Sequence, residues 1–176
     1  IAVNERGAIV VDKRLHTTAD NIWAMGDVTG GLQFTYISLD DYRIVRDELL
    51  GEGKRSTDDR KNVPYSVFMT PPLSRVGMTE EQARESGADI QVVTLPVAAI
   101  PRARVMNDTR GVLKAIVDNK TQRMLGASLL CVDSHEMINI VKMVMDAGLP
   151  YSILRDQIFT HPSMSESLND LFSLVK

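Results

Sequence analysis

Near the C-terminus the chain reads His161-Pro162-Ser163-Met164-Ser165-Glu166, an imidazole followed within two helical turns by a hydroxyl and a carboxylate. Histidine is the side chain whose ordinary titration falls near neutrality, so an imidazole beside a carboxylate suits general acid–base chemistry. Pro162 crowds the helical conformation of the residue before it and biases His161 toward extended backbone, which sets the direction of the ring. The same letters have a purely structural reading. Ser163 and Glu166 form S-x-x-E, the capping box, in which the hydroxyl and the carboxylate each accept a backbone N–H of the other residue. On physical grounds alone, the cap is the commoner use of such a glutamate. His161 is harder to assign to structure, since the chain has three histidines and this one lies between an extended run and a helix start.

The elements that must position this tail follow from apolar spacing. Met164, Leu168, Leu171, Phe172 and Val175 recur at helical intervals and predict an amphipathic last helix. Before it, Asp133 caps a predicted helix over 134–147 with Glu136 three residues on. Its Met137, Ile138, Ile140, Val141, Met143, Val144 and Met145 leave little polar face and predict burial on more than one side. Gly148 and Pro150 stop it, and a short helix over 151–156 follows. Strands are expected over 65–69, 90–98, 111–117 and 123–130, with a brief extended piece over 74–77 after a proline-marked turn. Residues 118–122 turn the last two into a hairpin. Thr79 is the expected N-cap, and Gly87 the stop, of a helix over 79–86. Three or four antiparallel strands with helices on one face make an α+β sandwich.

The first sixty residues differ in pattern. Ala8 to Val11 is strand-like, and Ile22-Trp23-Ala24-Met25 is an apolar run suited to a strand buried on both faces of a parallel sheet. Gly26 and Asp27 fall at its carboxyl end, where ligands bind in open α/β sheets. An aspartate there can accept hydrogen bonds from a polyol, although Gly-Asp is also a plain turn signal. A helix is expected from about Gln33 to Leu50, with Tyr36, Leu39, Val45 and Leu49 as its buried stripe and Arg43 pairing with Asp47. Residues 51–62 are polar and aperiodic, a connector. The boundary drawn there divides the chain into 1–61, the end of an α/β domain plus linker, and 62–176, a self-contained α+β domain.

Composition bounds the remaining possibilities. The chain has 176 residues, 44% hydrophobic and 24% charged, with a formal net charge of −3. These are globular values with no electrostatic case for nucleic acid or an anionic membrane, and no apolar run reaches the length of a membrane span. The single cysteine, Cys131, excludes a dithiol–disulfide couple within the chain and, with no secretory signal, points to a cytoplasmic protein. There is no G-x-G-x-x-G, so any dinucleotide fingerprint would lie upstream, and a chain that opens on Ile1 reads as a piece of a longer one. Cys131, His135 and Glu136 supply too few ligands for a closed zinc site, and no metal site is expected. Cys131 reads as a small buried hydrophobe, most methionines as core, and Arg102 and Arg104 as a solvated loop.

The tail HPSMSE resembles the His-Pro-Thr-x-x-Glu signature that closes the flavoprotein disulfide reductases, the family of glutathione reductase, dihydrolipoamide dehydrogenase and mercuric reductase; Ser163 stands where threonine is usual. Thr17 to Asp27, TTADNIWAMGD, resembles the family's second FAD motif, and Thr35 matches the threonine whose N–H meets the flavin, with Tyr36 in place of the usual proline. Phe68, Pro71, Val76, Gly77, Thr79, Glu80, Lys114, Leu125, Gly126, Ala127 and Glu136 stand at positions of the family's dimerisation domain. Pro72 and Cys131 depart from it. The resemblance implies the C-terminal part of an FAD-dependent, NAD(P)H-linked oxidoreductase that forms a homodimer through residues 62–176. It implies Gly26, Asp27 and Thr35 at the FAD, and His161, oriented by Glu166, as acid–base for the partner subunit's redox dithiol. The chain by itself is expected to be inactive. A non-catalytic dimerisation or ligand-binding module is the alternative, and disulfide, quinone and metal ion stay open as acceptor, as do NADH and NADPH.

Overall fold

A 16-residue helix, α1 (Thr35–Leu50), is the longest regular element of the first unit. The computed structural model describes residues 1–176 as two compact units, Ile1–Lys61 and Asn62–Lys176. The face of α1 that is covered is Ile37, Asp41 and Ile44, not the Tyr36/Leu39 stripe expected from hydropathy. Tyr36 is 67% exposed and Leu39 40%. Hydropathy missed the covered face because its central residue is a carboxylate. Asp41, 2% exposed, accepts a hydrogen bond from the Gly26 N–H (2.7 Å) and pairs with Arg60, the partners a buried charge requires.

Two further expectations for this unit are corrected. Ile22–Met25 is not a buried strand: it makes one isolated bridge, His16 to Trp23, and Ile22 and Met25 are 43% and 48% exposed. A parallel strand is held by neighbours on either side, whereas the one neighbour here is antiparallel, through Thr17 N–H to the Ile22 carbonyl (2.9 Å) and Ala24 N–H to the Leu15 carbonyl (3.1 Å). Arg43 lies over the Tyr36 ring at 5.4 Å and makes no ion pair with Asp47. Asp47 turns instead to the chain after the helix, accepting the backbone N–H groups of Lys54 (2.7 Å) and Arg55 (2.9 Å). The connector is therefore tied down, further by Arg55 to Asp40 (3.0 Å) and Arg60 to Asp40 (2.8 Å).

The second unit is an antiparallel sheet of β1 (Tyr65–Val67), β2 (Leu73–Gly77), β3 (Ile90–Pro96), β4 (Val112–Asp118) and β5 (Met124–Leu130). The extended piece after the proline turn is a full strand, so there are five, in the order β1-β2-β5-β4-β3. Side chains alternate across a pleated sheet. The register lines up Val76, Ala127, Ala115 and Val93 in one row, and Ser74, Leu129, Leu113 and Leu95 in the next. All eight are buried. The row between them, Arg75, Ser128, Lys114 and Thr94, points to the other face.

Helices α2 (Glu80–Glu85), α3 (Pro101–Val105), α4 (Ser134–Asp146), α5 (Ser152–Arg155) and α6 (Ser167–Ser173) complete the unit. The buried rows pack with Met137, Ile138 and Val141 of α4 and Leu168, Leu171 and Phe172 of α6 in one apolar cluster. At roughly 25 cal/mol per Å² of apolar surface removed from water, such contacts dominate the stability of the unit. α2 starts as expected, with Thr79 and Gln82 closing a reciprocal capping box.

α4 does not start as expected. Asp133 is left-handed (φ 59°) and its side chain caps nothing, because the Ser134 hydroxyl is drawn into a buried chain with Ser74 (2.9 Å) and the Pro72 carbonyl (2.9 Å). Nor is α4 buried on several sides: Met143 is 62% exposed. Arg102 and Arg104 lie on α3 rather than in a loop, with Arg104 Nε donating to the Ala98 carbonyl at 2.8 Å. No helix of the chain is long and apolar enough to cross a membrane.

Replacing Phe172, wholly buried between sheet and helices, with Ala removes a large core side chain. It should cost about 3–5 kcal/mol, read as a lower denaturant midpoint for the second unit. Asp47 is held below the ordinary carboxylate range first by the Arg55 backbone N–H, which outweighs the opposing effect of burial, and then by the Lys54 and Glu52 N–H groups. A carboxylate depressed in the folded state stabilises fully above its unfolded pKa and loses that contribution as pH falls through the folded one. Asp47→Asn should therefore flatten the acid limb of a stability-versus-pH curve below about pH 4 and leave its slope near neutrality unchanged.

Candidate functional site

The His161 segment is held at both ends. Upstream, Asn169 on α6 donates through Nδ2 to the carbonyls of Leu154 (2.7 Å), Arg155 (3.0 Å) and Gln157 (3.0 Å), fixing the end of α5 and the start of the segment that leads to His161. Downstream, Met164 is 4% exposed in the core, and its carbonyl accepts the Ser167 hydroxyl at 2.6 Å. Between these anchors the His161–Pro162 peptide is cis. Asn169 carries no motif. The only sign of it in sequence is an asparagine, a poor helix former, inside an otherwise apolar helical pattern.

Glu166 serves both readings of the tail at once. Its backbone N–H donates to Ser163 Oγ (3.2 Å), its Oε1 accepts the Ser163 N–H (3.4 Å), and its Oε2 lies 2.8 Å from His161 Nδ1. The reciprocal pair closes the turn before α6, which begins only at Ser167, so the box stands one turn earlier than expected. The Glu166 side chain is 15% exposed and that of His161 71%: the carboxylate is sheltered and the ring open. With Nδ1–H donating to Oε2, Nε2 is the nitrogen left to exchange a proton with a group outside the chain.

The other expected residues gather at one end of α1 in the first unit. Gly26 opens a 3-10 turn, Gly26–Thr29, in the left-handed region at φ +76°, and a Cβ on it would come to 3.0 Å from Ser38 Oγ of α1. Glycine alone allows that backbone and that approach without strain. Asp27 follows on the turn with its carboxylate exposed, while its carbonyl accepts the Gly30 N–H (3.0 Å). Thr35 is the first residue of α1, whose N-terminus no side chain caps, so the positive end of the helix dipole is open there. Asp41 and Arg60, which hold Gly26 from beneath, carried no signal beyond an aspartate on the helix and an arginine in the connector.

Cys131 is wholly buried, its Sγ 3.8 Å from Met137 Sδ. Burial, with smaller contributions from Asp133 and Asp108, pushes its thiol up to about 12. His135, on α4, rests against the Phe68 ring, centroids 5.7 Å apart.

This architecture, an antiparallel sheet backed by helices, is that of a flavoenzyme dimerisation domain following the end of an FAD-binding domain. Residues 63–172 match the profile of the pyridine nucleotide-disulphide oxidoreductase dimerisation domain, and residues 1–41 that of pyridine nucleotide-disulphide oxidoreductases. The chain belongs to that family. It is 34% identical over 168 residues to a mercuric reductase of Staphylococcus aureus, covering 96% of this chain and 30% of the relative. With a dihydrolipoyl dehydrogenase of Mycobacterium tuberculosis it shares 31% identity over 172 residues, 98% of this chain and 37% of the other. It superimposes with a TM-score of 0.99 and 99% identity on the HOCl-induced flavoprotein disulfide reductase RclA from Escherichia coli, over 100% of this chain and 40% of that one. LpdA of M. tuberculosis, 23% identical with a TM-score of 0.85 over 96% of this chain and 37% of its own, shares the fold. The chain thus spans only about a third of the curated relatives it matches.

A thiolate is the reactive form of cysteine, and Cys131 is held as a buried thiol. Alkylation at pH 8 followed by peptide mass spectrometry should leave Cys131 unmodified in the folded protein and label it fully in denaturant.

Proposed function

We propose that these residues form the C-terminal part of an FAD-dependent, NAD(P)H-linked oxidoreductase that reduces a disulfide or a related acceptor and works as a homodimer through residues 62–176. In this reading His161 and Glu166 are the acid–base pair offered to the partner subunit's redox dithiol. The observation that carries it is the 2.8 Å contact between His161 Nδ1 and a sheltered Glu166, with the rest of the ring exposed.

The chemistry assigned to the pair is proton transfer. His161 Nε2 takes the proton of a thiol, leaving the thiolate that attacks the acceptor, while Glu166 stabilises the imidazolium that results. The proton returns when a thiol is released. The dithiol belongs to another part of the enzyme, since the chain's one cysteine is Cys131, which is buried and unionised.

The first unit fits FAD on its own geometry. Asp27 presents an exposed carboxylate able to accept hydrogen bonds from ribityl hydroxyls, Gly26 lets backbone and ligand approach closely, and the uncapped start of α1 at Thr35 favours negative charge on a reduced ring. When bound, FAD supplies two-electron transfer between nicotinamide and dithiol. Family members differ in acceptor, as mercuric reductase and dihydrolipoyl dehydrogenase do by name, and a pair that serves the enzyme's own dithiol suits a disulfide or a related acceptor alike. The parent enzyme is assigned to the cytoplasm.

In the full-length dimer, His161→Ala should slow acceptor reduction by roughly 100-fold or more, in the range of a lost general acid–base, and leave flavin reduction by NAD(P)H within about twofold. Stopped-flow measurement of the two half-reactions checks this, and equal losses in both would remove the assigned role. Glu166→Gln should slow the same half-reaction by a smaller factor; a change in stability alone would return Glu166 to capping.

A further inference from the structure

The least expected charged group in the first unit is Asp41, a carboxylate 2% exposed on α1. A charge so enclosed is tolerated only when paired and hydrogen-bonded. Both conditions are met, and by separate oxygens: Oδ1 faces the Arg60 guanidinium, and Oδ2 accepts the Gly26 N–H at 2.7 Å. Arg60 also donates through Nε to Asp40 Oδ2 at 2.8 Å. The connector thus neutralises the helix carboxylate, which then grips the turn immediately before Asp27.

We propose that Asp41, neutralised by Arg60, is a positioning residue for the flavin-binding turn: by accepting the Gly26 N–H it fixes the peptide plane from which Asp27 projects toward the polyol chain of the cofactor. Gly26 is left-handed and, as glycine, has no Cβ to brace the turn. The stretch is also tied by the backbone bonds within the 3-10 turn itself, by Thr29 Oγ1 to the Gly26 carbonyl (2.9 Å), by Gly30 N–H to the Asp27 carbonyl (3.0 Å), by Ile9 N–H to the Val28 carbonyl (2.9 Å) and, upstream, by Ala24 N–H to the Leu15 carbonyl (3.1 Å). Asp41 supplies the acceptor for the Gly26 N–H itself. A turn pivoting there would swing Asp27 while its later bonds stayed intact, so FAD affinity would fall without unfolding.

The proposal rests on the flavin reading of Asp27, and the test separates the two. It compares two charge-neutral pairs in the full-length flavoprotein. Asp41→Asn with Arg60→Met keeps an acceptor for the Gly26 N–H. Asp41→Leu with Arg60→Met removes it, and Asp41→Ala with Arg60→Met is a second acceptor-free pair should leucine prove too bulky to fold. Each apoprotein is titrated with FAD by flavin fluorescence, and its thermal midpoint is recorded. The acceptor-free pair should bind FAD at least about tenfold more weakly than the asparagine pair at matched thermal midpoints, the scale of one lost hydrogen bond to a buried donor. Equal affinities in the two pairs, with Asp27→Ala still weakening binding, would overturn the role of Asp41 and leave the flavin reading standing. Failure of the unsubstituted protein to bind FAD, or of Asp27→Ala to weaken it, would overturn both.

Discussion

The second unit depends on one dry contact: the alternate residues of β2, β5, β4 and β3 that face α4 and α6. Because the pleat sends every second side chain to the same side, Val76, Ala127, Ala115 and Val93 form a continuous apolar row across four strands. Leu168, Leu171 and Phe172 close over that side. The position of α6 follows from this burial, and with α6 come Asn169 and Glu166. The geometry of the pair is in this sense a consequence of packing: the helix that fills the core carries the amide that ties down the approach to the imidazole, and the residue that leads into the helix is the carboxylate that holds the ring.

Glu166 shows that capping and orienting a base need not compete. A carboxylate has two oxygens and several lone pairs, and here one oxygen accepts the Ser163 N–H while the other meets His161. The turn that the capping contacts close is what brings the second oxygen to the ring. Asp41 divides its oxygens in the same way, one toward a charge that compensates it and one toward a backbone N–H. In both units a sheltered carboxylate joins a structural duty to the placement of a more exposed group next to it.

In the first unit, the apolar residues expected to be buried are largely exposed and the buried ones include a charge. Ile22 and Met25 are apolar enough for a central strand, yet a strand exists only where another offers its N–H and C=O groups at the right spacing, and the unit has one isolated bridge there. Tyr36 and Leu39 similarly lie on a face of α1 that this unit leaves open. The matched relatives are about three times as long as this chain, which fits a segment whose complementary surfaces lie elsewhere in a larger protein.

What the sequence by itself determined was whatever local chemistry or period can specify. The α+β pattern, the Thr79 cap, the β4–β5 hairpin, α6 and the residues His161, Glu166, Gly26, Asp27 and Thr35 could all be named from spacing or from motif likeness. Tertiary structure decided which face of α1 is covered, that Ser134 rather than Asp133 finds partners at the start of α4, and that Asp41, Arg60 and Asn169 hold the candidate sites. These residues act through partners distant in the chain, 15 residues for Gly26 to Asp41 and 19 for Asp41 to Arg60. A hydrogen bond between distant residues leaves no period and no motif, because its geometry exists only after the chain has folded.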